Sequence, residues 1–301
     1  MFHILANLDQ EERWLGTQLT RRVQARISVM AVLLDILAPH DDDATIWTLA
    51  PVDSFELRPP RRDRPPVIEV GTPPRIDLAW CSPEARRFND RRFAHALARE
   101  LDCALPRATE VSSLAELDAW PAAGPDAAWV AKAPWSSAGR HRVFGATNTL
   151  AGESRVAVER LVALAGAVTV EPWLDRICDV AVCGAIGDEV RVEPPHAIHT
   201  DPRGGFRGIG LEHPPLEAAE HDQLIVTAER VAHALQEAGY RGPFGVDAFV
   251  YRDQGERRLH PLCEINARYT FGHVARALGS RLGVTRLGFD KWGRPELTGR
   301  A

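Results

Sequence analysis

Gly245-Val246-Asp247-Ala248-Phe249-Val250-Tyr251, a short turn through Asp253-Gln254-Gly255, and Leu259-His260-Pro261-Leu262-Cys263-Glu264-Ile265-Asn266-Ala267-Arg268 read as the two arms of a β-hairpin. Side chains alternate between the faces of a strand, so Glu264, Asn266 and Arg268 share one face while Cys263 and Ile265 point to the other. With the turn centred near Gln254 or Gly255, Asp247 lies opposite Leu262 to Glu264 and on the polar face. Two carboxylates and an amide then converge. Adjacent carboxylates repel and a half-buried charge is poorly solvated, so such a cluster calls for a cation. Mg²⁺ prefers oxygen ligands and is held by one or two carboxylates plus substrate phosphates, which makes Asp247, Glu264 and the Asn266 amide oxygen its candidate ligands. Arg268, next in the row, is suited to grip phosphate. A solvated polar face on an ordinary hairpin is the competing reading.

Working upstream, the chain holds 36 Lys and Arg residues, of which only Lys132 and Lys291 are lysine. A strand over 128–133 delivers Lys132 into Pro134-Trp135-Ser136-Ser137-Ala138-Gly139-Arg140, whose small residues let backbone N–H groups approach an anion. The Gly-Lys-Ser/Thr ending of a Walker loop is absent, and a tight hairpin turn is the alternative. Downstream, Ala167 to Leu174 reads as a strand that runs through Glu171-Pro172-Trp173-Leu174 into a linker, with Asp179 a few residues on.

Gly-Val-Asp followed on the next strand by Glu-x-Asn-x-Arg resembles the catalytic end of the ATP-grasp superfamily, which includes D-alanine:D-alanine ligase and glutathione synthetase. The resemblance covers about residues 83 to 283 and is most specific at the hairpin. It implies an α/β (α+β) ATP-grasp fold behind an N-terminal α/β domain, divided as 1–82, 83–170 (central and lid) and 171–301 (C-terminal core). It further implies ATP with two Mg²⁺ ions, or Mn²⁺, held by Asp247, Glu264 and Asn266, and Arg268 on the transferred phosphoryl group. Lys132 would contact the nucleotide phosphates under a mobile loop bearing Ser136, Ser137 and Gly139, with Arg140 a weaker extra. Glu171, Trp173 and Leu174 would line the adenine hinge, and Asp179 would hold the ribose. One departure stands out. Where the family carries an Asp-Lys pair on the helix before its Leu-Pro, this chain has Asp90-Arg91, leaving Arg91 or His95 for that phosphate contact.

The implied activity is an ATP-dependent, ADP-forming carboxylate–amine ligase that works through an acyl phosphate, with Arg268 and Lys132 stabilising charge at the reacting centre. A small-molecule kinase and a non-catalytic nucleotide-binding module are the alternatives. Partners would be a small carboxylate and an amine, and a homodimer is a family-level expectation.

Composition agrees with a folded chain of this kind, at 301 residues, 45% hydrophobic and 26% charged. The net charge of -5 gives no reason to expect nucleic acid or an anionic membrane. No apolar run is long enough for a bilayer, and the first residues lack a basic region ahead of an apolar one, so a cytoplasmic location is expected. Cys81, Cys103, Cys178, Cys183 and Cys263 form no C-x-x-C pair and are expected to be buried thiols.

The remaining elements follow from periodicity. Strands are expected at 2–6, 45–49, 67–70 and 76–80, with a helix carrying Val23, Ile27, Met30, Ala31 and Leu34 and a surface loop over 58–66. A helix should run from Pro83 to about Leu101, others over 154–164, 216–238 and 271–282, with loop structure over 200–208 and an irregular tail after Phe289. His196, His199 and His213 match no zinc spacing.

Overall fold

A computed structural model describes residues 1–40, 42–52, 66–120, 128–137, 139–145, 152–202 and 204–299. The loop expected over 58–66 lies outside them except for Pro66. The chain begins with β1 (Phe2–Leu5), α1 (Gln10–Leu15), α2 (Arg21–Ala31) and a 3₁₀ turn at Val32–Leu37, followed by β2 (Ala44–Thr48), β3 (Val67–Val70) and β4 (Leu78–Ala79). Its strands form a parallel sheet in the order β3-β2-β1-β4. The Thr20 hydroxyl caps α2 by accepting from the Val23 N–H. Nothing in the sequence marks α1, whose residues Gln10, Glu11 and Glu12 are polar yet buried beside Leu15.

The helix expected from Pro83 to Leu101 is two pieces, a 3₁₀ turn at Pro83–Arg87 and α3 (Arg91–Glu100). Asp90 interrupts them because its carboxylate accepts the Arg92 N–H and starts a new helix there. Next come β5 (Thr109–Val111), α4 (Leu114–Asp118), β6 (Trp129–Lys132), β7 (Arg142–Gly145), α5 (Gly152–Ala165) and β8 (Val168–Pro172), with an antiparallel sheet in the order β5-β8-β6-β7. Gly145 is required where β7 crosses Trp129, since a Cβ there would lie 2.0 Å from the indole.

The largest sheet holds β9 (Asp175–Ile186), β10 (Val190–Val192), β11 (His196–Thr200), β12 (Phe206–Gly210), β13 (Gly242–Asp253), β14 (Glu256–Asn266), β15 (Val284–Phe289) and β16 (Pro295–Gly299). Its order is β14-β13-β9-β11-β12-β15-β16, with β10 added on β9. Two expectations are corrected here. The segment over 200–208 is mostly the turn of a β11–β12 hairpin, and the tail after Phe289 turns at Gly293 and pairs as β16 with β15. Helix α6 (Ala218–Glu237) covers one face of this sheet, packing Leu224, Val231 and Leu235 into a core with Val180, Val182, Val246 and Ile265. Helix α7 (Phe271–Leu282) stops at Gly283, left-handed at φ 69°, and its Val274 and Leu278 join Leu287 in one core with Ile4, Leu34 and Ile46 of the first sheet. The N-terminal sheet is thereby seated on the strands and helix that follow the polar hairpin.

Cys81 and Cys183 are buried, whereas Cys103, Cys178 and Cys263 are half-buried rather than buried as expected; all are free thiols.

Three buried histidines make stability depend on acid. Burial pushes the imidazoles of His260 and His273 down to about 4 and that of His196 to about 3. Each is neutral in the fold and takes up a proton on unfolding below its ordinary value near 6.5. The unfolded chain therefore binds more protons between about pH 6.5 and 4, and stability falls as pH drops through that window, by about 1.4 kcal/mol per pH unit for each histidine fully engaged. Urea midpoints measured from pH 7.5 to 4.5 should fall steadily, and less steeply in a His260→Gln variant; a flat profile would contradict the assignment.

Candidate active site

The hairpin turns on Gln254 and Gly255, both at positive φ (51° and 89°), which fits the two-residue turn between the paired Asp253 and Glu256. Regular pairing from that turn runs as far as Phe249 opposite His260 and then slips, so that Asp247 faces Glu264 and Gly245 faces Asn266. Pro261 lies in the slipped stretch and has no N–H to give to the ladder. This irregularity corrects one expectation. Leu262 turns to the core with Ile265, and Cys263 stands beside Glu264 on the cavity wall.

The polar row lines a cavity of about 460 Å³ between the N-terminal segment, the β6–β7 hairpin and the large sheet. Asp247, Glu264, Asn266, Arg268, Lys132, Ser136, Ser137, Gly139 and Asp179 all line it. Burial, then the facing Glu264 carboxylate, pushes the Asp247 carboxyl up to about 7, against the opposing pull of Arg268 and of a hydrogen bond with Asn266. Two facing acids with an amide beside them suit a hard cation, which would relieve the repulsion between them. Glu264 meanwhile accepts from Arg91 Nη2 at 2.9 Å. Among the described residues no group of three or more His, Cys, Asp or Glu is placed to share an ion.

Of Arg91 and His95, only Arg91 reaches the main cavity; both line a small void behind it. Arg91 lines the main cavity, buried, and donates from Nη1 to the Ala133 carbonyl (2.7 Å) and Ser136 Oγ (2.9 Å) and from Nη2 to the Ser136 carbonyl (3.0 Å). His95 lines only that void, of about 20 Å³. Arg91 thus ties the Ser136 loop to Glu264.

Lys132 ends β6 and makes a buried ion pair with Glu171 of β8. Burial opposes the charge on Glu171, yet Lys132 holds its carboxyl below the usual range. After Lys132 the chain turns through Ser136, whose side chain is buried, and Gly139, left-handed at φ 78° and so close to Arg142 that a Cβ would meet its Nη2 at 2.3 Å. Arg140 donates to Ser137 Oγ and to Glu12.

The four residues expected at the hinge divide. Trp173, Leu174 and Asp179 line an adjoining cleft of about 1190 Å³, which shares Arg176, Asp179 and Thr200 with the main cavity, while the Glu171 side chain turns inward to Lys132. Asp179 accepts from Arg176 (2.8 Å) and Thr200 (2.6 Å). The Arg176 guanidinium lies 4.0 Å from the Phe249 ring centre and 4.9 Å from that of Trp173, bridging the walls of the two cavities.

No protein-family model matches the sequence, and no curated protein matches it. Solved structures do match. The N5-carboxyaminoimidazole synthetase of Staphylococcus aureus, complexed with ADP, overlays 97% of this chain and 75% of its own at a TM-score of 0.54 and 8% identity. The N5-carboxyaminoimidazole ribonucleotide synthetase of Thermus thermophilus overlays 95% of this chain and 75% of its own at 0.52 and 14%. The chain has the ATP-grasp fold. Pyruvate carboxylase of Rhizobium etli overlays 94% of this chain at a TM-score of 0.59 and 15% identity. The chain spans only 27% of that carboxylase, and 48% and 59% of two other matching chains.

Sequence reasoning missed several residues that line the cavity or bond to its wall. Arg268 Nε donates to Glu11 at 2.7 Å, and Glu12 accepts from Arg140, His141 (2.6 Å) and Thr17 (2.8 Å). Despite burial, these bonds hold the Glu12 carboxyl down at about 2. Consecutive acids in a short polar helix resemble a surface turn, so only their burial against arginines marks them. Nothing in the sequence singles out Arg142 or Arg176, both on the cavity wall, and His196 faces the cavity with Nδ1 unpartnered.

Proposed function

We propose that this chain is an ATP-dependent, ADP-forming ligase that joins a carboxylate to an amine. The observation that carries the reading is the convergence on one cavity of the Asp247–Glu264–Asn266 row, Arg268, and Lys132 with its Ser136–Gly139 loop. Asp247, Glu264 and the Asn266 amide oxygen would hold Mg²⁺, which when bound draws charge from the terminal phosphates. Lys132 and the backbone N–H groups of its loop receive the nucleotide phosphates, while Trp173, Leu174 and Asp179 offer an adenosine cleft. A substrate carboxylate held near Arg268 attacks the γ-phosphorus. The bond to the β-phosphate oxygen breaks, ADP leaves, and an acyl phosphate remains whose negative charge Arg268 stabilises. An amine then attacks the acyl carbon and expels phosphate, leaving an amide once it loses a proton.

The domain division at 1–82, 83–170 and 171–301 belongs to the same reading, since the middle segment carries the loop that would cover the phosphates. Closure of that loop limits hydrolysis of the acyl phosphate.

The test is ADP release from Mg-ATP with pooled carboxylic acids and amines, followed by mass spectrometry of the products. A condensation product that appears together with ADP and phosphate supports the ligase. A phosphorylated acceptor without condensation would reassign the chain to kinase chemistry, and tight ATP binding with no ADP release from any pool would favour a non-catalytic nucleotide module.

A further inference from the structure

Beyond the phosphate row, the cavity has a second region built by the N-terminal segment. Helix α2 lends Val23, Ile27 and Met30 to its wall, and Trp80, Phe206 and Phe271 complete an apolar surface. Arg26 lines the same cavity from α2. Its Nε is buried without a hydrogen-bond partner, and among the described residues no carboxylate lies within ion-pair distance of its guanidinium. The cations around it are committed elsewhere, Arg207 to Asp201 at 2.8 Å and Arg140 to Glu12. Burial, then repulsion from Arg207, lowers the affinity of Arg26 for its own proton. A half-buried guanidinium with an orphaned donor beside like charges is costly unless an anion joins it; the Asp290 carboxylate favours the charge but lies beyond ion-pair distance, its Oδ1 accepting from the Trp292 and Arg294 N–H groups. The apolar wall lies in the same cavity as this cation and as Arg268.

We infer that the acid accepted by this cavity is amphipathic and doubly anionic: a reactive carboxylate at Arg268, an apolar body against the Trp80 and α2 wall, and a second carboxylate on Arg26. This rests on the ligase reading for the role of the first carboxylate only. A guanidinium recognises a carboxylate by paired N–H···O bonds, which a monocarboxylate of the same skeleton cannot supply at the far end.

Calorimetric titration tests it with three diacids, 2-benzylsuccinate, 3-phenylglutarate and 3-phenyladipate, each beside the matching monoacid that lacks one carboxyl group. At least one diacid should bind about 10- to 100-fold more tightly than its monoacid, the range expected for a charge-assisted hydrogen bond. Arg26→Gln should erase that preference and Arg26→Lys should restore part of it. Equal binding of diacids and monoacids, or a preference unchanged in Arg26→Gln, overturns the inference. ADP release from Mg-ATP, read with the same compounds, separates it from the reading beneath it. A diacid preference that depends on Arg26 without any ADP release keeps the anion site and sinks the ligase. ADP release stimulated equally by monoacids and diacids keeps the ligase and sinks the anion site.

Discussion

Glu264→Gln is expected to lower acid-stimulated ADP release from Mg-ATP by about 10²- to 10³-fold, the scale seen when one preorganised electrostatic contact is removed. The fold should survive, because the Gln carbonyl oxygen still accepts the Arg91 hydrogen bond that Glu264 accepts at 2.9 Å. What is lost is the negative charge facing Asp247, and with it a ligand for the cation that the paired acids require. Unfolding midpoints measured beside the kinetics distinguish the two effects. An unchanged midpoint with lost turnover supports the role of Glu264, whereas full turnover removes it from the site. Arg268→Ala is a poorer probe of chemistry, since it leaves Glu11 buried without the guanidinium that now pairs with it.

Lys132→Met is expected to destabilise the protein by about 3–5 kcal/mol, because it strands the buried carboxylate of Glu171. The double variant Lys132→Met with Glu171→Met should recover most of that loss, since replacing both members of a buried pair with apolar side chains of similar size is often nearly neutral. Both variants should lack ADP release, as neither keeps the ammonium for the phosphates. Urea denaturation of the singles and the double measures the coupling directly. If the double falls by the sum of the two singles, the pair is not coupled and Lys132 is free to act on phosphate alone.

The polar hairpin was legible because strand alternation and a glycine turn limit the partners of Asp247 to a few residues. Within that limit the slip at Pro261 chose Glu264, and it turned Cys263 to the cavity side against simple alternation. The Glu171 to Leu174 stretch divides between two environments. Trp173 and Leu174 lie on an open cleft, and nothing local told that Glu171 would be drawn inward by Lys132, 39 residues away. Arg91 stands where the family pattern has lysine. In the fold its longer, forked side chain joins the Ser136 loop to Glu264, which a single ammonium could not do with the same set of bonds.

By itself the sequence determined most of the strands and helices and the residue types of the polar row, because periodicity, turn chemistry and alternating side chains act over a few neighbours at most. Only the tertiary structure decided what surrounds that row. Glu11 and Arg26 come from helices whose local pattern is ordinary, and they reach the cavity because the N-terminal sheet shares a core with α7 and β15, while Glu12 beside them holds Arg140 of the cavity wall. Their roles follow from burial, which turns ordinary surface charges into ion-pair partners or, for Arg26, into a cation that still needs one; burial is set by contacts between segments far apart in the chain, and no window of sequence contains it.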